Sequence, residues 1–155
     1  MTPDIRLLAD APEFAADTAR LLAQTWPQHY GAGGRGDAHG DLARRIRQTG
    51  LPIAVVAVQD GRAIGTAALS ENSFGKADES PWLIGLCVTP DMRGRAVASA
   101  LVAAIEGIAR QQGYGAIHTT TQSAFGLLLR RKWLHVRDAS DEAGAQWAVM
   151  QKQLP

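Results

Sequence analysis

The sequence predicts a mixed α/β sheet flanked by helices. Three observations predict it. Strands follow one another in series in the first half, and strands alternate with helices in the second. Between the halves an apolar run, Leu83–Val88, passes through a tight turn into an amphipathic helix.

Ile5 to Leu8 reads as the first strand. Asp10-Ala11-Pro12-Glu13 then opens a helix, with Asp10 as cap, Pro12 in the first turn and Glu13 complementing the dipole. Phe14, Thr18, Leu21, Leu22 and Trp26 fall on one face of that helix, and Pro27 stops it. Residues 27 to 41 are dense in glycine and predict a mobile loop carrying His29, Tyr30 and Arg35. A second helix is expected from Asp41 to Thr49, with Leu42 and Ile46 inward and Gly50 as its cap. Pro52 to Val58 is a strongly apolar strand, and Asp60-Gly61 is a two-residue hairpin signal returning it as Ala63 to Leu69. A long polar connection, Ser70 to Ser80, leads to the central strand at Trp82.

The helix after that strand carries Val97, Leu101, Ile105 and Ile108 at helical spacing and ends at Gln112, before Gly113. Ala116 to Thr121 is the next strand, and Ser123 caps a short helix through Arg131. Trp133 to Val136 and Gln146 to Lys152 form a closing antiparallel pair around an acidic turn at Asp141-Glu142. The chain shows no internal repeat.

The totals narrow the function. A length of 155 residues suits one domain, taken as 1–155, with one core. A formal charge of +1, without a lysine- or arginine-rich block interleaved with aromatics, argues against nucleic acid as a partner. No run approaches the roughly 20 apolar residues of a membrane span, and Met1 to Arg6 does not open a signal peptide. The single cysteine excludes an internal disulfide and fits a reducing, cytoplasmic setting. The four histidines and Cys87 lack metal-ligand spacing, so no metal is expected. Cys87 itself reads as a small core residue. Of the tryptophans 26, 82, 133 and 147, Trp82 has the best claim to line a pocket.

The strand–turn–helix unit has a chemical meaning. The first turn of a helix offers unpartnered N–H groups and the positive end of the dipole. Together they suit a phosphate or pyrophosphate. Here Arg93, Gly94 and Arg95 precede the small residues Ala96, Ala98, Ser99 and Ala100. The turn holds a single glycine, so it is not a dinucleotide fingerprint, and it lacks the Gly-Lys-Ser/Thr of a P-loop.

Val88-Thr89-Pro90-Asp91-Met92-Arg93-Gly94-Arg95-Ala96-Val97-Ala98-Ser99-Ala100-Leu101 resembles the acetyl-CoA motif of the GNAT superfamily of N-acetyltransferases, Arg/Gln-x-x-Gly-x-Gly/Ala at a helix start. Ser80-Pro81-Trp82-Leu83, Leu128-Leu129-Arg130-Arg131-Lys132-Trp133 and the closing Val149 to Leu154 extend the resemblance, which covers roughly residues 4 to 154. Three departures stand out: Ala96 for the first motif glycine, Leu128 for a common tyrosine that protonates the departing thiolate, and Lys132 for a common glycine. A helix-start residue is expected to have negative φ, which would make Ala96 sterically acceptable.

The resemblance implies a mostly antiparallel sheet with a V-shaped splay between two central parallel strands. It implies acetyl-CoA as co-substrate, with pantetheine amides pairing to the backbone of Leu86 and Val88. The pyrophosphate falls to Arg93, Gly94, Arg95, Ala96, Val97, Ala98 and Ser99. The implied reaction is direct acetyl transfer to a primary amine, with the Val88 N–H stabilising the oxyanion. A thiol like cysteine, with a pKa of about 8.5, leaves without a strong acid, so Leu128→Tyr is expected to speed rather than enable turnover. No carboxylate lies in residues 82 to 88, so Glu71, at the end of the preceding strand, is the candidate base and His118 a candidate proton relay. The glycine-rich loop borders the acceptor in the resembled fold. A small-molecule amine is the expected acceptor, and a homodimer is compatible with the reading. The rival reading is a non-catalytic acyl-CoA-binding sensor or interaction module on the same fold; a third is a fold without ligand.

Overall fold

A computed structural model of the chain describes residues 3–73 and 78–155. Met1, Thr2 and the middle of the expected polar connection, 74–77, lie outside the described residues. Among the described residues seven strands appear: β1 (Asp4–Leu7), β2 (Ile53–Gln59), β3 (Arg62–Ser70), β4 (Trp82–Val88), β5 (Ala116–Thr121), β6 (Leu134–Ser140) and β7 (Gln146–Gln153). Five α-helices accompany them: α1 (Ala15–Thr25), α2 (Pro27–Tyr30), α3 (Ala38–Arg45), α4 (Val97–Gln111) and α5 (Phe125–Arg130). The strands form one sheet in the order β1-β2-β3-β4-β5-β7-β6. Every neighbouring pair is antiparallel except β4 and β5.

Helices cover both faces, which is why β2 reads as a continuous apolar run rather than an alternating one. On one face α4 sets Val97, Leu101, Val102, Ile105 and Ala109 against Ile53, Val55, Ile64, Leu69, Leu83 and Ile117. On the other, Leu21, Leu22 and Leu42 of α1 and α3 cover Ala54, Val56, Ala68 and Cys87. Gly65 of β3 lets α4 approach closely. A Cβ there would lie 2.9 Å from Leu101 Cδ1 and 3.1 Å from the Cys87 carbonyl oxygen. The β2–β3 hairpin turns through Asp60 (φ 52°) and Gly61 (φ 72°), both left-handed as a type I′ turn requires.

Several elements differ from expectation. Two short 3-10 turns, Leu8–Asp10 and Pro12–Phe14, precede α1, and Asp10 caps neither of them. Its carboxylate instead accepts from Gln48 Nε2 at 2.7 Å. Pro27 opens α2 as well as closing α1. The glycine-rich segment shortens to the stretch between Tyr30 and Asp37. Asp37 caps α3 by accepting from the Gly40 N–H at 3.0 Å, so that helix begins earlier than expected and stops at Arg45. Its buried face is therefore Ala38, Leu42 and Arg45, and Ile46 is left exposed. Thr121, not Ser123, satisfies the turn into α5, accepting from the Ala124 N–H at 2.9 Å. Trp82 lines no open pocket: it is 1% exposed, and its indole donates to the Glu79 carbonyl at 2.6 Å. Cys87 is the buried core residue expected, and burial pushes its thiol up to about 11.

Candidate functional site

The site starts from a break in the sheet. β4 pairs with β5 at Trp82↔His118 and Leu83↔Thr119, and the ladder stops there. The Thr119 hydroxyl closes this end by donating to the Leu83 carbonyl at 2.8 Å. Beyond it the two strands diverge, and the middle of β4 shows it. Its ends are buried while Ile84, Gly85 and Leu86 are half-buried, unusual for the central strand of a covered sheet.

Gly85 marks where the divergence begins. Its φ is 63°, and the β3–β4 register slips between Thr66↔Cys87 and Ala68↔Ile84. One extra residue is therefore accommodated as a bulge, which re-aims the strand. On the far side of the bulge the Thr89 N–H donates to the Ile64 carbonyl of β3 at 2.9 Å. Successive residues of a strand point their polar groups to opposite edges. Leu86 and Val88 therefore face the edge that β5 has left. The Val88 carbonyl accepts from Arg93 Nε at 3.3 Å, consistent with that direction.

The open edge leads to the start of α4. Arg93, Gly94, Arg95 and Ala96 are all exposed there. Ala96 is the N-cap and has φ 64°, ψ 13°, the left-handed region, with no side chain capping the helix. The expectation of negative φ is thus corrected: this alanine holds a glycine conformation one residue before the helix. Lys132 does the same at φ 73°. Val97 is buried, whereas Ala98 and Ser99 are half-buried in the first turn. A shallow depression of about 430 Å³, lined by Arg95, Ala96, Ser99, Ala100, Ala103 and Arg131, runs along the exposed side of that turn.

The candidate proton carriers lie apart from the open edge. Glu71 is exposed just past Ser70, which pairs with Trp82 at the closed end. His118 is 6% exposed, with Nδ1 at 3.3 Å from the Pro81 carbonyl and Nε2 at 3.2 Å from Gln151 Nε2. Both ring nitrogens have a partner within the fold. Leu128 is 1% exposed in the α4-side core.

Sequence reading missed two charged groups. Glu106, on α4, is 2% exposed and accepts from Arg131 Nε and Nη2 (3.1 and 2.9 Å), Lys152 Nζ (2.8 Å) and Trp133 Nε1 (3.0 Å). Burial pushes its carboxyl up, but Arg131, Lys152 and Trp133 outweigh burial and hold it below the usual value. This cluster ties α4 to the β5–β7 half of the sheet. The second group is Arg45, which packs on the opposite face, beside Asp41 and Tyr30. Its signal was available in the Ala38, Leu42, Arg45 spacing behind the Asp37 cap. Tyr30 donates to Asp41 Oδ2 at 2.6 Å, and burial together with that carboxylate raises the phenol to about 12. Arg35 sits in an exposed 3.9 Å ion pair with Glu142. Among the described residues there is no group of histidine, cysteine and carboxylate side chains able to hold a metal, and no helix is long and apolar enough to cross a membrane.

Solved structures share this architecture. Aminoglycoside 6'-N-acetyltransferase complexed with coenzyme A superposes with a TM-score of 0.80 at 16% identity, over 98% of this chain and 97% of that one. Ribosomal-protein-S18-alanine N-acetyltransferase from Escherichia coli gives 0.68 at 12%, over 99% and 94%. N-acetylglutamate synthase from Neisseria gonorrhoeae, complexed with coenzyme A and N-acetyl-glutamate, gives 0.65 at 21%, over 100% of this chain but 36% of that one. At such identities the likeness is one of fold. No curated protein matches the sequence. The sequence itself matches the model of the acetyltransferase (GNAT) family over residues 16–127, and with the splayed β4–β5 pair in place the chain belongs to that family.

Proposed function

We propose that this chain moves an acetyl group from acetyl-CoA to a primary amine of a small molecule, by direct transfer. The observation that supports it most is the half-buried stretch of β4 from Ile84 to Leu86, whose edge runs on through Val88 to the uncapped start of α4. An extended chain of amides fits such an edge as an added strand, by main-chain hydrogen bonds. Leu86 and Val88 offer those groups to the pantetheine arm. Arg93, Arg95 and the N–H groups from Ala96 to Ser99 suit the pyrophosphate, by charge and by the helix terminus.

Three events must follow. The thioester oxygen gains negative charge, and the Val88 N–H is the proposed donor to it. The thiolate leaves without help from residue 128, as its modest basicity allows. The amine loses a proton, for which Glu71 remains the proposed acceptor. Six strand steps separate Val88 from Trp82, the end beside which Glu71 lies, about 20 Å at roughly 3.3 Å each, so that proton reaches Glu71 only through a chain of water. The named neighbours include acetyltransferases of an aminoglycoside and of a ribosomal protein, which supports an amine acceptor without choosing its size. A second reading, a non-catalytic acyl-CoA-binding module, is favoured by the buried Leu128, which supplies no proton.

Calorimetric titration with acetyl-CoA, beside an Arg93→Ala control, tests the proposal. Micromolar binding that weakens in the control is expected. Absence of binding would overturn both readings. Binding without thiol release on any amine would leave the module.

A further inference from the structure

We propose that Arg45 recognises a carboxylate on the acceptor, so that the amine acetylated here belongs to an amino acid or another amino carboxylate. The inference rests on the acetyl-transfer reading above and deepens it.

Arg45 ends α3 with its side chain 10% exposed, so nine-tenths of a charged group is out of water. Its tip lies against the bulge, since a Cβ built on Gly85 would be 3.3 Å from Arg45 Nη1. That places the guanidinium beside the point where the sheet opens, on the face of α1 and α3 rather than that of α4. Its protein partners under-use it. Its side chain has a 4.0 Å ion pair to Asp41, a hydrogen-bonding approach to the Tyr30 hydroxyl and an electrostatic effect on the Cys87 thiol, which leaves most of its five donors unused by these partners. Asp41 is already occupied, by the Tyr30 hydroxyl and by a close ion pair with Arg44. Five N–H donors in a planar fork, this far buried and this little paired, suit a planar anion that accepts two of them at once.

The surrounding charges set the sign of that ligand. Tyr30 and Cys87 are neutral at physiological pH, with values of about 12 and 11. Arg44 and Arg45 face one carboxylate, Asp41, and Arg93 also acts on the Cys87 thiol, so positive charge is in excess there. An anion is favoured over a cation, and the planar fork suits a carboxylate. An amine whose carboxylate rests on Arg45 would present its nitrogen a few ångströms away, at the open edge of β4.

The test uses the ω-amino carboxylates from glycine to 6-aminohexanoate beside the matching ω-amino amides, which lack the charge. Acetyl-CoA is held saturating, free thiol is read, and acetyl-CoA affinity is measured separately. At least a tenfold preference in kcat/KM for one or more carboxylates over their amides is expected. Arg45→Gln should bring that ratio to near one with acetyl-CoA affinity unchanged, and Arg45→Lys should retain part of it. Equal or better use of the amides, a preference that survives Arg45→Gln, or acetyl-CoA binding with no panel member acetylated would each overturn the assignment. Failure to bind acetyl-CoA at all would instead overturn the transfer reading on which it rests.

Discussion

Replacing Ala96 with glycine should stabilise the protein, although alanine-to-glycine changes in and around helices ordinarily do the reverse. Ala96 holds φ 64°. An L-residue pays about 1–2 kcal/mol in that region, and glycine pays almost nothing. Against this, glycine adds about 0.4–1 kcal/mol of unfolded-chain entropy to be lost. The balance is a gain of about 0.5–1 kcal/mol. Ala103→Gly is the control, because Ala103 sits inside α4 and its loss should cost about 1 kcal/mol. The two variants are compared by urea unfolding at equal m-value, where a separation of about 1.5–2 kcal/mol is expected. A shorter residue at 96 also removes a methyl from the helix start, so acetyl-CoA should bind several-fold tighter in the same variant. If Ala96→Gly instead weakens the protein as much as Ala103→Gly, residue 96 has right-handed geometry and the argument from the turn fails. Lys132→Gly, at φ 73°, should repeat the stabilisation without the change in affinity.

Gly65→Ala should destabilise by about 1–3 kcal/mol through overpacking, because its Cβ would meet Leu101 at 2.9 Å and the Cys87 carbonyl at 3.1 Å. As α4 is what moves, acetyl-CoA affinity measured by calorimetry should fall with it; unchanged affinity would show that the helix start is held independently. Glu106→Gln should cost about 2–3 kcal/mol near neutral pH, toward the low side of a broken buried pair, since Arg131 and Lys152 keep some solvent contact. The native carboxyl is depressed, so its contribution is full above the unfolded value of about 4.3 and is lost as pH falls through that value toward the folded one. The gap between wild type and Glu106→Gln in urea midpoint should therefore narrow below about pH 4.3, and a gap independent of pH would contradict the assignment. Leu128→Tyr, expected from sequence to raise turnover, now carries a structural cost: the leucine is 1% exposed, and a phenol there should lose about 1–3 kcal/mol. Thermal melts and initial rates separate the two effects.

The sequence exposed what is local and periodic. The strand from Trp82, the turn at 93 to 96 and the helix with Val97, Leu101 and Ile105 inward were legible because a 3.6-residue pattern and an apolar run announce themselves. The Asp60-Gly61 hairpin was legible because the turn demands left-handed residues. The splay was not, since no residue type encodes the absence of a neighbour; it entered through resemblance. The register of α3 was misjudged because two aspartates, 37 and 41, compete to cap it. Starting the helix at Asp41 turns Ile46 inward, whereas the fold starts it at Ala38 and exposes Ile46. Glu106 was passed over because it lies next to Ile105 on a helix read for its apolar face, and its partners come from positions 131, 133 and 152. His118 looked chemically available in a polar stretch, and only the third dimension supplies Pro81 and Gln151.

The short ladder between β4 and β5 has a thermodynamic consequence. Two residue pairs hinge the strands β1 to β4 onto the strands β5 to β7. The fold thus carries an unfinished seam, and whatever lies along it as a substitute strand belongs to the folded state and has no counterpart in the unfolded one. Linkage then makes stability a gauge of supply. At a hundred times its dissociation constant such a ligand adds about 2.7 kcal/mol, which for a chain of this size corresponds to about 5–10 °C in Tm. The same seam is where the empty molecule should open first, and amide exchange at Leu86 and Val88 would register its closing.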